Sequence, residues 1–203
     1  MCVNDRQGVT GIILAGGESR RFGRPKAFAK YDGKYFYEHA LHALRPYTQE
    51  VVLVSHPTIV NQFPKESDYQ VIEDLDSYKG KGPLAGIYSV MKQFPAEWYF
   101  VLACDMPLMN WETVGEIISL GDKDIQAVVP SIDDKIQPLS ALYHQSVLTD
   151  LEQQLEQGNY RMMGLLERVI VKIVTEETLP FSGQPFKNIN NQTSYQQLVV
   201  RDN

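Results

Sequence analysis

Apolar positions along this chain recur in two rhythms that alternate over most of its length. Short unbroken runs such as Ile12-Ile13-Leu14, Val51-Val52-Leu53-Val54 and Tyr99-Phe100-Val101-Leu102 predict strands over residues 10–14, 51–54 and 98–103. Another is expected over 69–74, ending in acids. Their continuous apolar character suits parallel strands covered on both faces. Between them the spacing changes to three and four: Tyr37, Ala40, Leu41 and Leu44 predict a helix over 37–44, ending before Pro46. Leu84, Ile87, Met91 and Phe94 predict a second helix, which Gly82-Pro83 starts and which ends before Pro95. A brief strand over 27–31 is expected to turn at Asp32-Gly33.

The second half continues the alternation less regularly. A helix over 111–120, a strand over 125–130, a turn at Asp133-Asp134 and a strand over 138–143 are expected, with the two acids at the surface. Val147, Leu148, Leu151 and Leu155 mark a helix that closes at Gly158. A short helix over 162–169, a strand over 169–174 and a C-terminal helix from near Ser194 follow; the methionines of that short helix read as packing residues. Alternating strands and helices predict a three-layer α/β/α fold with a mostly parallel sheet and a mixed later portion. At 203 residues, without a repeat, linker or low-complexity tract, the chain is expected to form one domain over residues 1–203.

In such sheets ligands lie across the carboxyl ends of the strands, so those ends carry the candidate chemistry. The first strand runs into Ala15-Gly16-Gly17, where missing Cβ atoms let backbone N–H groups approach a phosphate or a base. Between Ser19 and Tyr31 stand Arg20, Arg21, Arg24, Lys26 and Lys30, and no acid. This is an anion site inside a protein of formal net charge −6, which disfavours a general attraction to nucleic acid or anionic membrane and points to a small polyanion. The loop is neither a Walker A loop, since Arg21 and Phe22 stand where Gly-Lys would begin, nor a G-x-G-x-x-G fingerprint.

Other strand ends add Ser55-His56-Pro57, Asp74 and Cys104-Asp105-Met106-Pro107. Asp105, at the end of a central strand, is placed to hold a divalent cation against phosphate oxygens. His56 reads as a surface turn residue, and His39, His42 and His144 have no metal-binding or triad spacing. Cys2 and Cys104 lie too far apart for a thiolate motif, and Cys104 is expected buried at its strand end. No apolar run approaches the roughly 18 to 20 residues of a membrane span, and no basic-then-apolar leader is visible, so a cytoplasmic protein is expected.

Residues 14–26 resemble the signature L-A-G-G-x-S-x-R-F-G-x-x-K of the molybdenum cofactor guanylyltransferases, in the wider nucleotidyltransferase family of GT-A-like fold. Leu14, Ala15, Gly16, Gly17, Ser19, Arg21, Phe22, Gly23 and Lys26 meet every fixed letter. A G-P-L-x-G segment from Gly82, a D-x-P motif at Asp105 and Pro107, a Q-P pair at Gln137-Pro138 and an N-x-N motif at Asn188 and Asn190 extend the likeness over nearly the whole chain. The resemblance implies transfer of GMP from GTP to molybdenum-molybdopterin, with Lys26, Arg21 and Asp105 in catalysis and Mg²⁺ held by Asp105. It implies nucleotide binding by Leu14, Ala15, Gly16, Gly17, Lys26, Ser55, Asp74 and Asp105. Gln137, Asn188 and Asn190 would face the pterin, and Asp74 would serve the guanine or the metal shell. Transient contact with the molybdopterin-insertion machinery or with molybdoenzymes is also implied. Alternatives are a CTP-dependent enzyme on the same pterin, which typically carries A-A-G where this chain has Ala15-Gly16-Gly17, a sugar-phosphate nucleotidyltransferase, and a non-catalytic nucleotide- or cofactor-binding escort.

Overall fold

Ile12 and Ile13 point to opposite faces of the first strand, as neighbours on a strand must, and each joins a different half of the core. In the computed structural model, which describes residues 8–17, 22–65, 68–178 and 183–200, that strand is β1 (Val9–Leu14). It lies in an eight-stranded sheet, paired in parallel with β4 (Glu50–Val54) on one side and β6 (Trp98–Ala103) on the other. Beyond β4 lies β5 (Gln70–Ile72), also parallel. Beyond β6 the sheet becomes mixed. There β9 (Ser140–His144) runs antiparallel between β6 and β7 (Ala127–Ile132), and β10 (Val171–Thr175) closes the edge parallel to β7.

Helices α1 (Phe36–Leu44) and α3 (Trp111–Ser119) cover one face, packing Leu41, Leu44, Val114 and Ile117 against Ile13 and Leu53. On the other face α2 (Pro83–Gln93), α4 (Leu148–Glu156) and α5 (Met162–Leu166) bury Leu84, Ile87, Leu151 and Leu165 with Ile12 and Val52. This is the expected three-layer α/β/α arrangement. A smaller cluster of Phe22, Ala29, Phe36, Ile189 and Leu198 ties the C-terminal helix α6 (Gln192–Val200) to the chain just after the glycine turn. No helix among the described residues is long and apolar enough to cross a membrane.

Local structure departs from expectation in a few places. The strand expected over 27–31 is a 3₁₀ turn at Lys26–Phe28 followed by a hairpin of β2 (Lys30–Tyr31) and β3 (Lys34–Tyr35). Asp32 and Gly33 supply the two positive φ values, 43° and 74°, that a two-residue hairpin turn requires. The strand expected over 69–74 is only β5, which frees Glu73 and Asp74 from the ladder. In the second half, Asp133 and Asp134 adopt φ of 48° and 57°, folding β7 back onto a short β8 (Lys135–Ile136) that periodicity did not indicate.

The antiparallel direction of β9 has a functional consequence. Its beginning, not its end, lies at the edge formed by the carboxyl ends of β1, β4 and β6, so residues 137–139 reach that edge. Two bonds hold them there: Ala103 N–H donates to the Leu139 carbonyl at 2.8 Å, and the buried Tyr143 hydroxyl donates to the Pro138 carbonyl at 2.7 Å. Tyr143→Phe removes the second bond at constant shape. It should lower stability by about 1 kcal/mol and the melting temperature by roughly 2–4 °C in thermal denaturation; an unchanged midpoint would show that the bond contributes nothing.

Candidate active site

Backbone hydrogen bonding continues past the strand ends and fixes the floor of a cleft. Ala15 N–H donates to the Val54 carbonyl at 2.9 Å and Cys104 N–H to the Leu14 carbonyl at 3.1 Å, so residues 14–16 lie between the tips of β4 and β6. A Cβ on Gly16 would lie 3.5 Å from the His56 nitrogen, whereas one on Gly17 would meet nothing within 4 Å. Gly17 therefore opens onto the cleft itself, whose volume is about 920 Å³.

One end of the cleft is a charge centre assembled from three distant parts of the chain. The 3₁₀ turn after Pro25 presents Lys26, and its Nζ lies 2.8 Å from Asp105 Oδ2 and 2.6 Å from Asn190 Oδ1. The side chains of Lys26 and Asp105 are only 17% and 19% exposed, so the pair is partly shielded from solvent and from salt. Asp105 stands just beyond β6, and its carbonyl accepts the Ile189 N–H at 2.8 Å, which seats the Asn188-Ile189-Asn190 segment beside it. Among the described residues no three His, Cys, Asp or Glu side chains gather as a metal cluster. A cation here would have one protein carboxylate, Asp105, and would draw its other oxygens from substrate phosphates and water. That donor set fits Mg²⁺, which commonly binds through one or two carboxylates and phosphates.

The opposite wall is built by the loop from β5 to α2. Asp74 Oδ2 accepts the Gly80 N–H at 2.9 Å. Burial pushes the Asp74 carboxyl above its ordinary range, while the Gly80 bond and the nearby His56 and Lys79 work in the other direction. Gly80 and Gly82, at φ of 74° and 83°, turn the loop into the N-terminus of α2, which has no side-chain cap. That terminus, with Gly82, Pro83 and Gly86 on the cleft, directs the positive end of the helix dipole at it. In the sheet β5 stands three strand positions from β6, or roughly 14 Å at ~4.8 Å per strand. Asp74 and Asp105 thus stand at separate places along one cleft.

Leu14, Ala15, Gly16, Gly17, Lys26, Ser55, Asp74, Asp105, Gln137, Asn188 and Asn190, all singled out by sequence, line this one cleft. Arg21, with Ser19 and Arg20, lies outside the described residues. The structure adds two groups that the sequence reading noted without assigning to the site. His56 was expected on a surface turn, yet it faces the cleft, its Nδ1 accepting the Thr58 N–H at 3.2 Å. Its place directly after Ser55 was the available signal. Lys79 also lines the cleft and pairs with Glu73 at 2.7 Å. Cys104 is buried as expected, and burial together with neighbouring Asp105 drives its thiol well above the ordinary range, so it is a protonated packing group.

Known proteins share this fold and much of this sequence. Residues 11–172 match the family model of the MobA-like NTP transferase domain. The chain is 39% identical over 192 residues to a probable molybdenum cofactor guanylyltransferase of Geobacillus, covering 95% of this chain and 98% of that one. A protein of the same description from Halalkalibacterium halodurans is 41% identical over 182 residues, covering 89% and 92%. Among solved structures, molybdopterin-guanine dinucleotide biosynthesis protein A from Archaeoglobus fulgidus superposes with a TM-score of 0.81 at 28% identity, over 95% of this chain and 98% of that one. A Mycobacterium tuberculosis protein solved in complex with manganese shares the fold, with a TM-score of 0.66 at 16% identity over 96% of this chain and 99% of that one.

The raised Asp74 carboxyl makes a stability prediction. Because its folded pKa lies above the unfolded value, the folded state holds the proton more tightly, and this contribution is lost as pH rises through that window. Asp74→Asn should therefore raise the urea midpoint at neutral pH, and the difference from wild type should close below about pH 4, near the unfolded Asp pKa. A gain independent of pH would mean that the carboxyl is not the source.

Proposed function

The chain belongs to the molybdenum cofactor guanylyltransferases of the MobA-like NTP transferase family, and from that premise we propose that it transfers GMP from GTP to molybdenum-molybdopterin. Residues 1–203 would act as one nucleotidyltransferase domain. The observation that carries this reading is the placement of the Lys26–Asp105–Asn190 centre and the Asp74 wall at separate ends of one cleft. A nucleoside triphosphate lying across the glycine turn would meet both.

In this reading a terminal phosphate oxygen of the pterin attacks the α-phosphorus of GTP, a new phosphoanhydride bond forms, and the α–β bond breaks with release of pyrophosphate. The attacking phosphate is already anionic near neutral pH and needs no general base. What the site must supply is alignment of two anions and compensation for their repulsion. Lys26 would offset charge on the transferring group and the leaving pyrophosphate, and the resemblance adds Arg21 to that task. Asp105 would hold Mg²⁺, which when bound neutralises phosphate oxygens. Asn190 meets Lys26 directly, so the segment assigned to the pterin ends at the charge centre. Asn188 and Gln137 would complete the pterin side.

At the nucleoside end, backbone groups of Leu14, Ala15, Gly16 and Gly17, with Ser55 nearby, would receive the base. Asp74 is an acceptor held in a partly desolvated position, where the N1–H and N2–H₂ donors of guanine would stabilise its charge. Cytosine would turn acceptors at N3 and O2 towards it. This favours GTP over the cytidylyltransferase alternative. An escort that only bound nucleotide would have no need of the Lys26–Asp105 pair. We place the enzyme in the cytoplasm, where its product would pass to molybdoenzymes by transient contacts with them or with the insertion machinery.

Incubation with Mg²⁺, molybdenum-loaded pterin and competing GTP and CTP tests the reading. The guanine dinucleotide should form with a preference of roughly 10⁴. Because a Cβ on Gly17 meets no protein atom, Gly17→Ala should lower GTP use more than CTP use without changing the melting temperature. Comparable turnover of CTP would promote the cytidylyltransferase, and binding without turnover the escort. In the same assay Lys26→Ala should reduce kcat by on the order of a hundredfold or more; a normal rate would remove Lys26 from the chemistry.

A further inference from the structure

A lysine side chain is flexible, so Lys26 is only as well placed as the backbone that carries it. That backbone is a short 3₁₀ turn with few bonds of its own: Phe28 N–H donates to the Pro25 carbonyl and Ala29 N–H to the Lys26 carbonyl. Buried Ala27, Phe28 packed on Phe63, and the Phe36 N–H donated to the Ala29 carbonyl at 2.9 Å seat its far side, and the C-terminal helix adds bonds at both ends. Asn191, adjacent to Asn190, caps α6 by accepting the Ser194 N–H on its Oδ1 at 2.8 Å, and its own N–H donates to Ser194 Oγ at 3.2 Å. The helix thus starts from the charge centre.

Two side chains of its first turns, three positions apart and so on one face, reach the chain on either side of Lys26. Gln192 Nε2 donates to the Phe22 carbonyl at 2.6 Å, and the Tyr195 hydroxyl donates to the Lys30 carbonyl at 2.8 Å. These acceptors stand four residues before and four residues after Lys26. The Tyr195 ring packs edge-on against Phe22 at 5.4 Å, beside Phe36 at 6.1 Å, with the Arg24 guanidinium 5.5 Å from its centre. Bonds that bracket a flexible cation from one rigid face fix its anchor more firmly than either bond would alone.

We propose that Gln192 and Tyr195 are positioning residues for the nucleotidyl transfer, a clamp from α6 that holds residues 22–30 so that Lys26 stays directed at Asp105. This rests on the guanylyl-transfer reading above. The clamp joins the Asn188–Asn190 segment and the lysine loop through one helix, so the two substrates' binding elements share a single support. A misplacement of about 1 Å at a charge-compensating group can cost up to about a hundredfold in rate. Removal of one bond of the clamp should cost about tenfold.

Gln192→Met and Tyr195→Phe remove the donors and keep the bulk. In the full-length protein without ligands, amide exchange over residues 22–30 should accelerate about tenfold while β1 and β6 remain unchanged. In turnover, kcat should fall about tenfold with KM for GTP within about twofold. In a Lys26→Ala background the same substitutions should have no further effect on rate, because the residues act through Lys26. Unchanged exchange over 22–30, or an equal loss of rate in the Lys26→Ala background, would overturn the clamp. If Tyr195→Phe fails to fold, Gln192→Met, at an exposed position, keeps the test. An inactive wild-type enzyme would count against guanylyl transfer, and the exchange measurement, made without substrate, would then decide the clamp alone.

Discussion

The cleft depends on one short contact, that of Lys26 Nζ with Asp105 Oδ2 at 2.8 Å. Its partners are separated by 79 positions in sequence, and Asn190, the third member, lies 164 positions from Lys26. The pair exists because β1 and β6 are hydrogen-bonded neighbours in parallel register, which sets the glycine turn and the Asp105 loop side by side. The contact also lets a cation and an anion share a partly buried place without either being left uncompensated, which would be costly.

The two carboxylates of the cleft are differentiated by their surroundings. Asp105 faces an ammonium group and the seat of the Asn188–Asn190 segment. Among the described residues Asp74 forms no ion pair within contact distance; burial pushes it towards its neutral form, against the pull of nearby His56 and Lys79, and a backbone N–H holds it. In the proposed reading one would serve phosphate and cation chemistry, the other the hydrogen-bond donors of a base. Separation across three strand positions gives the cleft its polarity, the feature on which the proposed placement of base and triphosphate rests.

The mixed half of the sheet completes the site from the remaining side. In an all-parallel sheet the start of the strand after β7 would lie at the far edge, away from the ligand. Antiparallel β9 instead delivers Gln137, Pro138 and Leu139 to the cleft, with Tyr143 and Ala103 holding their backbone. The C-terminal helix then spans back to the first loop, and its packing of Tyr195 and Leu198 on Phe22 and Phe36 closes the third small core. The loop that carries Lys26 and helix α6 thus meet beside the Lys26–Asp105 pair.

Much of this was readable from sequence alone. Continuous apolar runs are the local mark of strands buried on both faces, so β1, β4 and β6 and the helices between them were legible, and with them the layered α/β/α fold. Residues at the ends of those strands, Gly16, Ser55, Asp74 and Asp105, could be named because strand ends in such folds share an edge. Tertiary structure decided the rest. The direction of β9, the short β8, the face shown by His56 and the bond between Asn190 and Lys26 depend on strand order and on contacts across the whole chain. No local spacing records them. Sequence determined which groups stand at the edge of the sheet; the pairing of strands and the docking of α6 determined which of those groups touch.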